Sequence, residues 1–121
     1  MMKSDHLSIE QLDQNWFHDI FIDKIEICNE ESLELRFYAE FEKYEWLNLT
    51  GSVLVFKDIQ SLKIASFELN QLSNLELYSA DFEFTEDIFH CKLMLLLGFG
   101  QQDLPIELSC RSIESQRAKV H

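Results

Sequence analysis

The chain has 121 residues, of which 46% are apolar, including ten Phe, two Trp and three Tyr; 22 acidic against 10 basic residues give a formal net charge of -12. A single domain of this size hides roughly two-thirds of the surface of its unfolded chain, so one core forms without metals or disulfides. The negative field repels phosphate backbones and anionic headgroups, which excludes nucleic acid and membrane as first partners and favours a basic protein surface.

The first element is a short helix. Ser8 and Gln11 have capping-box spacing, and Leu7 and Leu12 stand where a hydrophobic staple clamps a helix entry, so the helix opens at Ser8 and ends before Trp16. From there the period changes from 3.6 to two. Residues 20–27 are rich in β-branched side chains, and residues 32–42 alternate Leu33, Leu35, Phe37, Ala39 and Phe41 with Glu34, Arg36, Tyr38, Glu40 and Glu42. These segments predict a hairpin joined through Asn29, Glu30 and Glu31. A third strand is predicted over 46–56, with a bulge or bend at Gly51. Residues 59–71 satisfy neither period and read as irregular connection plus a short strand. Leu75 and Leu77 point inward, then the phase shifts to Ala80, Phe82 and Phe84, which requires one extra residue near Ser79.

Residues 88–97 place Phe89, Cys91, Leu93, Leu95 and Leu97 opposite His90 and Lys92, with Met94 and Leu96 making the second half apolar on both faces. Gly98, Phe99 and Gly100 open a polar turn, Pro105 leads into a last strand over 106–111, and the tail from Ser112 has no apolar face and is expected to fray. The expectation is a mainly β protein: an antiparallel meander of six or seven strands forming a sandwich or open barrel, with one short N-terminal helix. It is a single domain over 1–121, with a core of about 7–112 and a flexible tail over 113–121.

Compartment and chemistry follow from what the chain carries. Cys28, Cys91 and Cys110 are an odd set without CxxC spacing, which fits a reducing compartment better than a disulfide framework or zinc site. Residues 1–6 lead into no apolar signal core, and the greasiest run, 93–97, is far shorter than the ~20 residues of a membrane span; a cytoplasmic location is expected. His18 and Asp19 would supply a base or two metal ligands, with His90 the third partner, but no HExxH or HxH motif accompanies them. The plainer reading makes His18 and Asp19 a fold-defining polar pair at a strand entrance.

No serine lies in GxSxG, and Cys91 and Cys110 read as core residues. The pair Gly98 and Gly100 lacks the helix and Lys of a phosphate loop, and the sequon at Asn48, Leu49 and Thr50 falls within a predicted strand. No catalytic residue, metal or cofactor is therefore expected.

Acidic clustering is the remaining signal. Seven acids between Glu26 and Glu45 meet only Arg36 and Lys43, and six between Glu68 and Asp87 meet no base. If the two strands lie close, Glu34, Glu40, Glu42, Asp81, Glu83, Glu86 and Asp87 form one anionic face, with Tyr38 and Tyr78 as exposed aromatic anchors. The alternative is a solvated face that discourages edge-to-edge pairing.

The order of these features resembles small bacterial β-rich proteins grouped as immunity proteins of polymorphic toxin systems. The likeness is carried by Trp16-Phe17-His18-Asp19 at the head of the first strand and the segment Val53-Leu54-Val55-Phe56-Lys57-Asp58-Ile59. It continues through Phe89-His90, the Leu-Leu-Leu-Gly-Phe-Gly run at 95–100 and Glu107-Leu108-Ser109-Cys110, and spans roughly residues 15–112. The resemblance implies a cytoplasmic antitoxin that masks a basic toxin domain by direct binding, without turnover. Two rival readings are a metal-dependent or small-molecule enzyme using His18, Asp19 and His90, and a homo-oligomeric module whose exposed strand edges pair with themselves.

Overall fold

The capping box forms as its spacing demands: the Ser8 amide donates to Gln11 Oε1 at 2.9 Å, and the Gln11 amide donates back to Ser8 Oγ at 3.2 Å. It opens helix α1 (Ile9–Gln14), with both staple residues, Leu7 and Leu12, buried in the core. The structure, a computed structural model, describes residues 4–14, 17–47, 49, 51–64, 75–97 and 102–117. Several expectations lie outside the described residues: the helix end at Trp16, the Asn48 and Thr50 positions of the sequon, residues 65–71 of the ambiguous segment, residues 98–101 of the turn, and 118–121 of the tail. The rest of the expected turn, Gln102 and Asp103, is strand: the last strand begins at Gln102 rather than Ile106, because residues 102–105 already pair with the strand before it.

Among the described residues the rest is antiparallel sheet, curled into a half-barrel. Its strands are β1 (Ser4–His6), β2 (Ile20–Phe21), β3 (Lys24–Asn29), β4 (Leu33–Tyr38), β5 (Val53–Ile64), β6 (Leu75–Thr85), β7 (Ile88–Leu97) and β8 (Gln102–Gln116). Their order is β2-β6-β7-β8-β5-β4-β3, with β1 added to β8 beyond the end of β7. The meander comes as two three-stranded halves, β3-β4-β5 and β6-β7-β8, joined by pairing of the two longest strands, β5 and β8. The concave side holds the core, where Leu35, Phe37, Leu54, Phe56, Leu95 and Ile113 meet Leu12 and Phe17. Alternation in the β4 region is kept through Phe41, although β4 itself ends at Tyr38 and Phe41–Lys43 forms a 3-10 turn.

The two edges of the half-barrel are tied by one stretch of chain. Ile20 and Phe21 pair with Leu77 and Glu76 on β6; the Ile22 amide then donates to the Leu75 carbonyl, and the Asp23 amide to the Tyr38 carbonyl on β4. The predicted strand 20–27 is therefore two strands serving opposite edges, because the chain crosses the mouth of the barrel between them.

Three further boundaries differ from the sequence reading. The predicted third strand over 46–56 begins only at Val53, because Gly51 (φ 114) is buried and its amide donates to Glu42 Oε1 at 2.9 Å, which turns the chain there. A Cβ at Gly51 would lie 2.6 Å from the Gln116 carbonyl oxygen, so only glycine fits. Residues 59–64, the start of the segment expected to be irregular connection plus a short strand, continue β5 to Ile64; a register shift between Ile59 and Ser61 resets the phase and hides the period. The expected fraying from Ser112 does not occur through Gln116, since β8 pairs there with both β5 and β1 and buries Ile113, Glu114 and Ser115. The extra residue near Ser79 is present: Leu77 faces Leu95 and Ser79 faces Met94, leaving Tyr78 unmatched. No helix among the described residues is long and apolar enough to cross a membrane.

Candidate functional site

The two acidic clusters occupy different parts of the sheet and have different electrostatics. Glu34 and Tyr38 lie on β4 and Asp81 and Glu83 on β6, with β7, β8 and β5 between the two strands. The two strands of the expected anionic face are not neighbours in the sheet, because the sheet order sends the two meanders in opposite directions from the central β5-β8 pair.

On the β4 side the acids are built into the fold. Along the outer face Glu26 faces Arg36, Arg36 faces Val55, Val55 faces Glu114, and Glu114 faces His6 on β1. Arg36 reaches Glu34 at 2.9 Å and Glu26 at 3.3 Å, while Lys57 reaches Glu114 at 3.2 Å and Glu34 at 4.0 Å. The Tyr38 hydroxyl donates to Glu26 Oε1 at 3.0 Å, and this bond, with the one from Cys28, holds the Glu26 carboxyl below its ordinary range. Burial pushes the Glu114 carboxyl up, but hydrogen bonds from Gln116 and Lys57 outweigh it and leave the group lowered. Glu40 and Glu42 are exposed, and each has a nearby cation: Lys43 lies 3.8 Å from Glu40 and Arg117 lies 3.7 Å from Glu42.

On the β6–β7 hairpin the acids form no close ion pair among the described residues, although Asp81 stands opposite Lys92 on β7. Asp81, Glu83, Glu86 and Asp87 are all exposed, and none has a basic group within 4.0 Å among the described residues. Glu86 (φ 54) and Asp87 (φ 63) form the two-residue tip between Thr85 and Ile88 with positive φ at both, the pattern of a type I′ turn. That turn is best served by Asn-Gly, and two acids adopt it here at a local conformational cost.

Beside the tip Phe84 is 42% exposed against Phe89, with ring centroids 4.6 Å apart, and Tyr78 is 45% exposed at the bulge. Beyond the two residues paired to β2, the outer edge of β6 has no strand neighbour among the described residues. Two cross-strand rows run from this hairpin, Asp81-Lys92-Glu107-Lys63 and Glu83-His90-Ser109-Ser61, and contribute to a cavity of about 840 Å³.

His18 and Asp19 hold each other, Nδ1 to Oδ2, at 2.7 Å at the entrance to β2, where Asp19 takes a positive φ of 56°. Tyr78 packs on His18 with ring centroids 5.3 Å apart, and Glu76 is pushed above its ordinary range by burial and by the adjacent Asp19. His90 faces Glu83, seven residues along β6 from Glu76, a strand length of roughly 20 Å. The structure does not bring His90 to the His18-Asp19 pair, and no group of three His, Cys, Asp or Glu residues among those described could hold a metal ion. Cys91 and Cys110 are buried neighbours on β7 and β8; the Cys110 thiol and burial push the Cys91 thiol up.

Sequence reasoning missed Phe84 as an exposed aromatic, because its phase assigns it to the core face; it lies one pair from the open tip, where that face runs out. It also missed the Lys57-Glu114 pair, whose partners are far apart in the chain. No protein-family model, curated protein or solved structure matches this chain at a significant level.

Proposed function

We propose that this protein is a non-catalytic binding module that neutralises a basic protein partner, in the manner of a cytoplasmic immunity protein masking its cognate toxin. The observation that carries the reading is the contrast in charge pairing: among the described residues Asp81, Glu83, Glu86 and Asp87 stand on one hairpin with no ion pair within 4.0 Å, while Glu26, Glu34 and Glu114 are paired within the sheet. Unpaired acids around half-exposed Phe84 and Tyr78 supply what a basic surface needs, long-range attraction and large apolar anchors. The acids of β4 enter only as support for the scaffold.

Co-expression with the product of the neighbouring open reading frame tests the reading. The expected result is a stable complex, and relief of any growth arrest that product causes, both abolished by combined Asp81→Lys, Glu83→Lys, Glu86→Lys and Asp87→Lys substitution. A complex that forms equally well with the reversed hairpin removes this site from the function.

A further inference from the structure

The other free edge of the half-barrel, β3, has properties opposite to those of the β6 edge. It pairs with β4 in unbroken register from Lys24↔Tyr38 to Asn29↔Leu33, and no other strand pairs with it among the described residues. Natural proteins blunt such edges with proline, bulges or charged side chains; β3 has neither proline nor bulge, its two charges, Lys24 and Glu26, lie 3.6 Å apart in its first half, and its central Ile27 is 55% exposed. Ile27 stands at the lip of an apolar cavity of about 430 Å³ shared with Ile25, Ile64, Leu75, Leu104 and Ile106.

We infer that β3 is a self-association edge, whose partner is β3 of a second copy of this chain in an antiparallel, two-fold pairing centred on Ile27. The register follows from the requirement that opposed residues share a face. With the axis at Ile27, Ile27 meets Ile27 of the second copy, Ile25 meets Asn29, Glu26 meets Cys28, and Lys24 meets Glu30 at both ends of the ladder. No opposed pair then sets like charges against each other. Shifting the axis one residue toward the N-terminus centres the ladder on Glu26 and opposes two Glu26 side chains, which is unfavourable. On the β6 edge the equivalent pairing, centred on Phe82, would set Asp81 against Glu83 on both sides of the axis.

Seven residues a side fall well short of the 20–30 or so of a standard interface, so the dimer is weak and concentration-dependent. The pairing leaves the β6–β7 hairpin uncovered, and it stands or falls separately from the proposed partner.

Sedimentation of the full chain over a wide concentration range tests this. A monomer–dimer equilibrium is expected, weakened more than about tenfold by Ile27→Lys, and weakened about tenfold by Glu30→Lys through the two symmetry-related pairs. Combining Lys24→Glu with Glu30→Lys restores dimerisation. In a Cys28→Ser background, Ile27→Cys gives a covalent dimer on mild oxidation, since residues opposed at the axis lie within disulfide range, whereas Ile25→Cys does not. A chain that stays monomeric up to its solubility limit, or a dimer indifferent to Ile27→Lys in a variant that keeps the wild-type circular dichroism spectrum, overturns the inference.

Discussion

The β3-β4-β5 half of the sheet and the β6–β7 hairpin carry similar acidic sequences, and the fold uses them in opposite ways. In the first, Glu26 and Glu34, joined by Glu114 of the adjoining strand β8, are threaded among Arg36 and Lys57 over Val55, which is fully buried on the outer face. In the second, four acids stand at and near a tip whose two residues take positive φ, and none is in an ion pair within 4.0 Å among the described residues. Charge that stabilises a fold is paired and partly desolvated. Charge left unpaired on a protruding element is available to a partner, and composition alone does not separate the two cases.

The comparison breaks most readily at Glu114. Removing it with Glu114→Ala leaves Lys57 without its nearest acid and is expected to cost about 2 kcal/mol of unfolding free energy, read by urea denaturation. Replacing Glu86 and Asp87 by Asn and Gly goes the other way: it relieves the two positive-φ residues and stabilises the protein by about 1 kcal/mol while weakening capture of a basic partner. A result in which the exchange destabilises the chain would show that the acids at the tip support the fold.

Acid titration sharpens the same contrast. Glu26 and Glu114 sit below their ordinary value of 4.5 when folded, so the stability they contribute is whole above that pH and is lost as pH falls through their lowered folded values. Glu76 is raised, so its contribution is whole below 4.5 and is lost as pH rises through its folded value. Glu114→Gln should therefore flatten the acid limb of a stability–pH curve, whereas Glu76→Gln should raise the melting temperature near neutrality and change little in acid. The smallest effect is expected at Glu83→Gln, an exposed and unpaired site, where stability should move by less than about 0.5 kcal/mol.

How far these features were legible depended on whether they are local. The capping box of Ser8 and Gln11, the inward row from Leu35 to Phe41 and the extra residue at Tyr78 follow from neighbours within a few positions, and all were readable. The end of β5 was hidden by its own register shift between Ile59 and Ser61, which breaks the period a reader relies on. The polar segment 112–116 looked like tail because its burial comes from β1 and from Lys57, which sequence spacing does not connect to it. The separation of the two acidic clusters was unreadable for the same reason: it is set by β5 pairing with β8, a contact between halves of the chain.

On the proposed function the hairpin acids serve binding and the β4-side acids serve folding. Melting temperature and affinity for the neighbouring open reading frame's product, measured together on two charge-reversed proteins, separate the two roles. Reversal of Glu83, Glu86 and Asp87 to Lys is predicted to leave the melting temperature nearly unchanged and slow association at least about tenfold at low salt. Reversal of Glu34 and Glu114 is predicted to lower the melting temperature. Unaltered association by the hairpin variant, or a melting loss as large as that of the Glu34 and Glu114 variant, would contradict the account.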